Sequence, residues 1–165
     1  MWHCSIIATM KALLTACFFL ACVSAYAQTQ FLKPDGIAPG TGYTHVVVTS
    51  PGKLIFISGQ VARDQQGNLV GKGDLRAQAA QVFENLKIAL AAAGATFNDV
   101  VKINWYVRDY NQEKLAALRE VRNMYVNKDN PPASTLIGVA ALAQEDYLIE
   151  VDAVAALPAK SAKKK

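Results

Sequence analysis

Glu150 is the residue whose type and setting point most directly to chemistry in this chain. It interrupts the run Leu148-Ile149-Glu150-Val151-Asp152-Ala153-Val154-Ala155, and a carboxylate in a strand that otherwise reads apolar is costly to bury without a partner. Burial raises a carboxyl pKa, which would fit Glu150 to act as a general base or to shuttle a proton. The same setting also suits a structural glutamate paired with a lysine or a backbone donor. Ser58-Gly59 could present backbone groups to a ligand where a Cβ would obstruct, or form an ordinary strand-ending turn. Thr135 offers a hydroxyl and an amide to a carbonyl or carboxylate, or satisfies only its local backbone. Tyr43 follows Gly40-Thr41-Gly42, a flexible approach to a strand, where an aromatic ring commonly packs.

Other chemistries are excluded by what the chain lacks. Cys4, Cys17 and Cys22 all lie in or before an N-terminal apolar run, so a chain processed after that run has no disulfide, thiol nucleophile or thiolate metal ligand. His3 lies upstream as well, leaving His45 alone. A Ser-His-Asp triad would have to use it, and no G-x-S-x-G elbow accompanies it. A metal site built from several histidines would need copies of His45 from different subunits. No metal and no organic cofactor is expected.

The run itself reads as a leader. Met10-Lys11 gives a positive start, Ala12 to Val23 is apolar, and Ala25-Tyr26-Ala27 fits cleavage before Gln28. A dozen apolar residues fall short of the ~20 needed to span a bilayer. The expectation is therefore a signal peptide over 1–27, a domain over 28–158, and an exported, periplasmic or secreted product without a membrane anchor. Lipoprotein processing at Cys17 or Cys22 fits the residues less well, and translation can begin at Met10. The excess of positive charge belongs to the ends. Setting aside Lys11, Lys160, Lys163, Lys164 and Lys165 reduces seventeen basic residues to twelve, against thirteen acidic. Residues 159–165 read as a basic, disordered tail. No interleaving of aromatic and basic residues points to nucleic acid.

These residues need a scaffold, and 165 residues suit one domain with a sizeable core. His45 to Thr49 and Leu54 to Gln60 read as a hairpin around Ser50-Pro51-Gly52. Asp74 caps a helix whose apolar positions Leu75, Ala79, Val82, Leu86, Ala89, Leu90 and Ala93 recur at helical spacing, with Gly94 at its C′ position. Val100 to Val107 reads as a strand, and Asn111 caps a second helix carrying Leu115, Leu118, Val121, Met124 and Tyr125. Pro131-Pro132 stops any continuation. Thr135 to Leu142 and Tyr147 to Ala156 read as a final hairpin. The order β-β-α-β-α-β-β, with a further strand near Gln28 to Leu32, predicts an α+β sandwich with both helices on one sheet face.

The stretch Pro132-Ala133-Ser134-Thr135 through Leu136-Ile137-Gly138-Val139 to Leu148–Ala155 resembles the C-terminal signature of the RidA/YjgF family. Ser58-Gly59-Gln60, the Ala93-Gly94 helix end and Asp99-Val100-Val101-Lys102 are similar to that family in the same order, over about Tyr43 to Ala156. The resemblance implies a chorismate-mutase-like α+β domain assembled as a homotrimer, sheets inward, with small-molecule clefts between subunits. It implies that Glu150 activates the hydrolytic water, that Tyr43 lines the cleft with Ser58, Gly59 and Thr135, and that the substrate is an imine, an enamine or a related small carbonyl compound. Ser134 stands where the family's 2-imino-acid deaminases carry an arginine that holds the substrate carboxylate. A guanidinium gives two charged hydrogen bonds and serine one neutral donor, and charged bonds are worth about 1.5–3 kcal/mol each. Arg119 or Arg122, on the helix whose family counterpart contributes to the cleft, could compensate. The competing expectation is a non-catalytic module that binds a small ligand or protects other proteins under stress.

Overall fold

The computed structural model describes residues 29–36, 41–49 and 52–159. The expected leader with its cysteines, His3, Gly40, the expected turn at Ser50-Pro51 and the lysines of the expected tail lie outside the described residues. In chain order the elements are β1 (Gln30–Leu32), β2 (Val46–Val48), β3 (Gly52–Gln60), α1 (Leu75–Ala92), β4 (Val100–Arg108), α2 (Gln112–Arg122), β5 (Ala133–Val139) and β6 (Ile149–Pro158). The expected α+β order is present, including the extra N-terminal strand.

Local chemistry fixes the helix ends as expected. The Asp74 carboxylate accepts from the Ala77 amide at 3.0 Å and opens α1. Gly94, just past its end, takes φ +76°, a conformation that a Cβ penalises. Asn111 opens α2 by accepting from the Lys114 amide at 3.0 Å. That helix stops at Arg122, so Met124 falls outside it and is 68% exposed rather than part of an apolar stripe.

Strand pairing departs from both expected hairpins. The main sheet has the order β3-β6-β4-β5, with β5 parallel to β4 and β6 antiparallel to both β3 and β4. Thus β5 and β6 flank β4 and do not pair with each other. The 140–148 connection is too long for a tight hairpin and carries the chain past β4. In the same way β2 pairs with β1, not with β3. Thr44 explains this: its amide and hydroxyl bond the carbonyls of Pro132 (3.2 Å) and Pro131 (2.6 Å), at the entry to β5. Thr44 is thus fastened at the β5 edge, whereas β3 forms the opposite edge of the sheet.

Period-two alternation sorts β6 into two faces. Ile149, Val151, Ala153 and Ala155 are buried with Ile55, Ile57, Ile103, Trp105 and Val107 beneath Ala79, Val82, Phe83, Leu86 and Leu90 of α1 and Leu118 and Val121 of α2. Phe83 is the hub of an aromatic group, with ring centroids 5.7 Å from Phe97, 5.2 Å from Trp105 and 5.1 Å from Tyr125. The Tyr125 hydroxyl donates to Glu84 at 2.8 Å. Burial, helped by that bond and by the carboxylate's charge, pushes the phenol up to about 12. A raised acid pKa favours the neutral form in the fold, so this stabilisation is complete below the ordinary tyrosine pKa near 10 and is lost as pH rises from there through about 12. Stability measured by urea unfolding should decline over that window, and Tyr125→Phe should flatten the decline. An unchanged slope in the variant would show that ionisation of Tyr125 is not what destabilises the fold over that window.

The opposite sheet face has no helix over it among the described residues. It exposes Leu54, Ile137 and Phe56, the last 77% exposed. A strip of polar side chains crosses it, in which the Asp152 carboxylate accepts from Asn104 Nδ2 at 2.8 Å and from the Tyr106 hydroxyl at 3.1 Å. That bond, reinforced by the carboxylate's charge, raises the Tyr106 pKa.

Candidate active site

A cleft of about 280 Å³ opens between α2 and the edge strand β5, bounded by Tyr43, Trp105, Tyr110, Arg119, Arg122 and Ser134. Each wall has a local cause. Trp105 and Leu136 are register partners on β4 and β5, as are Ile103 and Ser134, so Ser134 and Leu136 share the helix-side face with Trp105. Asp109, at φ +48°, turns the chain out of β4, and Lys114 Nζ holds that turn through the carbonyls of Arg108 (3.0 Å) and Asp109 (2.8 Å). Tyr110 then lies over Gly138, where a Cβ would meet the tyrosine Cβ at 3.0 Å. The Thr44 bonds to Pro131 and Pro132 fasten the Tyr43 loop beside the start of β5.

The polar end of the cleft is cationic. Arg119 and Arg122, three apart on α2, share one helix face. Arg122 donates from Nη1 to the Gly42 carbonyl at 3.1 Å and from Nη2 to Asn123 Oδ1 at 2.9 Å. Any side chain at Gly42, itself at φ +76°, would strike its guanidinium. Burial, and the neighbouring Arg119 charge, hold Arg122 below the usual arginine range, though an arginine stays charged at neutral pH. The ion pairs among the described residues, Lys72–Asp146, Arg76–Glu120, Lys87–Glu84 and Arg108–Asp109, include neither of these arginines.

The remaining expected site residues lie on the other side of the sheet. Glu150 faces the helix-free surface, opposite Tyr106 in register. Ser58 and Gly59 form a β-bulge, because β3 advances from Ile57 to Gln60 while β6 moves only from Ala153 to Val151. A Cβ at Gly59 would overlap the Glu150 carboxylate, so the glycine makes room for the acid. Gln60 Nε2 bonds the Ser58 carbonyl at 3.0 Å, which occupies one backbone group expected to greet a ligand. Thr135 accepts from Lys102 Nζ on this same face. Among the described residues no three His, Cys, Asp or Glu side chains group as a metal site would require, and no helix is long and apolar enough to cross a membrane.

Residues 34–157 match the family model described as Endoribonuclease L-PSP. A Rid-family protein of Yersinia pestis superposes with a TM-score of 0.73 at 39% identity, over 78% of this chain and 98% of that one. The chain belongs to the RidA/YjgF family. Other relatives agree. RidA of an Antarctic Psychrobacter has a TM-score of 0.57 at 31% identity, over 78% of this chain and 99% of its own. The 2-iminobutanoate/2-iminopropanoate deaminase of Dermatophagoides farinae is 31% identical, over 74% of this chain and 89% of its own. A RutC family protein of Pyrococcus abyssi is 38% identical, over 63% of this chain and 79% of its own.

Within this RidA/YjgF protein the expected site residues thus form two groups. Tyr43, Ser134 and Arg119, with Arg122, meet in the cleft, whereas Glu150, Ser58, Gly59 and Thr135 occupy the far face. Sequence reasoning did not place Trp105, Tyr110, Leu115, Leu118 or Leu136 in the cleft. Trp105 was readable only as a strand aromatic, and Tyr110 reaches the cleft through the Asp109 turn, which no local motif announces.

Proposed function

We propose that this protein hydrolyses an imine or enamine of a small carboxylic acid, with one subunit's cleft completed by the Glu150 face of another. The observation that carries this reading is the pair of arginines in the cleft, which supplies near Ser134 the positive charge that position lacks. The exposed Leu54, Phe56 and Ile137 on the Glu150 face support its burial against further copies. A homotrimer arranged in this way gives three sites. Protonation of the imine nitrogen makes its carbon electrophilic, and water then adds to that carbon while Glu150 takes the water's proton. Transfer of a proton to nitrogen lets the C–N bond break, giving ammonia and a 2-oxo acid.

The test is ammonia release from freshly generated 2-iminobutanoate. The wild type is expected to accelerate it. Arg119→Ala is expected to raise KM about tenfold or more, the worth of a charged hydrogen bond, because the cleft arginines stand in for the charge that Ser134 lacks. Wild-type silence on imines of every size would remove the hydrolase reading. It would favour a non-catalytic ligand-binding module, for which the specific observation is that one protomer's cleft contains no carboxylate among its lining residues.

A further inference from the structure

We propose that the cleft selects substrates whose carboxylate is joined to a large apolar, preferably aromatic, group. This rests on the cleft being the substrate site and specifies what enters it. The two ends of the cleft differ in chemistry: Arg122 bonds Gly42, beside the Thr44 that is fastened to the start of β5, with Arg119 three residues before it on α2, while Tyr110 lies over Gly138 toward the end of β5, and Trp105, Leu115, Leu118 and Leu136 add apolar lining.

Two guanidinium groups on one helix face repel, and the repulsion lowers the Arg122 pKa beyond what its burial does. A carboxylate between them relieves that repulsion and accepts charged hydrogen bonds. Glu120, the acid next to Arg119 in the chain, is already engaged by Arg76. No carboxylate of the described residues lines the cleft or pairs with either arginine, and a ligand carboxylate fits between them while Glu150 of another subunit serves the chemistry.

The apolar end has its own reason to be filled. A small acid such as pyruvate would satisfy the arginines and leave the partly buried Tyr110, Leu115 and Leu136 against water. An aryl group would bury both surfaces and stack on the rings. Ser134 is small where an arginine would occupy the space between the two ends, so one rigid molecule can reach both. Gly138 sets the depth, because its missing Cβ lets Tyr110 lie close against β5. The volume of about 280 Å³ is near the lower bound of ordinary ligand pockets, ~300 Å³, which suits a single ring and a short acid.

Calorimetric titration of the full chain with phenylpyruvate, pyruvate and 2-phenylethanol tests this apart from catalysis, because an aryl 2-oxo acid is the hydrolysis product and does not turn over. Phenylpyruvate is expected to bind at least tenfold more tightly than pyruvate. Arg119→Ala should weaken phenylpyruvate tenfold or more and leave 2-phenylethanol unaffected, and Tyr110→Ala should narrow the gap between phenylpyruvate and pyruvate. Equal affinity for the two acids, or no effect of Arg119→Ala, would overturn the inference. Tight phenylpyruvate binding by a protein that releases no ammonia from any imine would keep this ligand class and overturn hydrolysis. Ammonia release with no preference for aryl imines would keep hydrolysis and overturn the ligand class.

Discussion

Glu150→Gln should reduce ammonia release from 2-imino acids by about 10²-fold or more, with little change in affinity for a 2-oxo acid. General acid–base catalysis contributes roughly 10²–10⁴-fold, and 10²-fold is about 2.7 kcal/mol of barrier. Glutamine keeps the shape and the hydrogen-bonding oxygen but cannot take the water's proton. The packing argues that position 150 is held open for an acid: Gly59 sits in a bulge and lacks the Cβ that would overlap the carboxylate. Bulges commonly re-aim side chains beside sites. Because Glu150 lies on the face proposed to meet another subunit, the variant's mass by light scattering must match the wild type before its rate is read. A correctly assembled Glu150→Gln protein with turnover within threefold of wild type would sink the acid–base role.

The largest effect on stability is expected from Phe83→Ala, a loss of about 3–5 kcal/mol. Phe83 is fully buried and stands against Phe97, Trp105 and Tyr125, so its removal leaves a void lined by three rings, which have little freedom to collapse into it. At equal protein concentration the urea midpoint should fall by roughly 2 M with its slope unchanged. Phe83→Leu, which keeps most of the volume, should cost less than half as much. Trp105 is both a neighbour of Phe83 and a wall of the cleft, so Phe83→Ala should also weaken phenylpyruvate binding. A midpoint shift below about 0.5 M would mean that the surrounding rings repack around the gap.

The helix ends and the core could be read from the chain because their causes are local. Asp74, Asn111 and Gly94 act on amides and dihedrals within a few residues, and apolar spacing on α1 records which face is covered. Strand partners are different. Alternation along Thr135 to Val139 or Ile149 to Ala155 says which side of a sheet a residue takes, but not which strand lies next to it. Both expected hairpins failed for that reason, one because the 140–148 segment passes β4 and the other because Thr44 fastens its segment to Pro131 and Pro132. The site divided along the same line. Ser134 and Thr135 are adjacent on a strand, so period two already requires their side chains to face opposite ways. Residues that reach the cleft only through tertiary geometry, Tyr110 above all, left no comparable signal.

The position of β6 governs when this molecule can exist at all. It follows the other described strands in the chain, yet it lies between β3 and β4 and pairs with both. Until it emerges, β3 has no neighbour in the main sheet and the apolar face of α1 has half a surface to cover. Domains in which early segments pair with one another can begin to fold during synthesis; here the nascent chain has no complete core to form until β6 has emerged. A ribosome that stalls before Ile149 therefore releases a polypeptide whose main sheet is split, with β3 on one side and the β4-β5 pair on the other, ready substrate for proteases and chaperones.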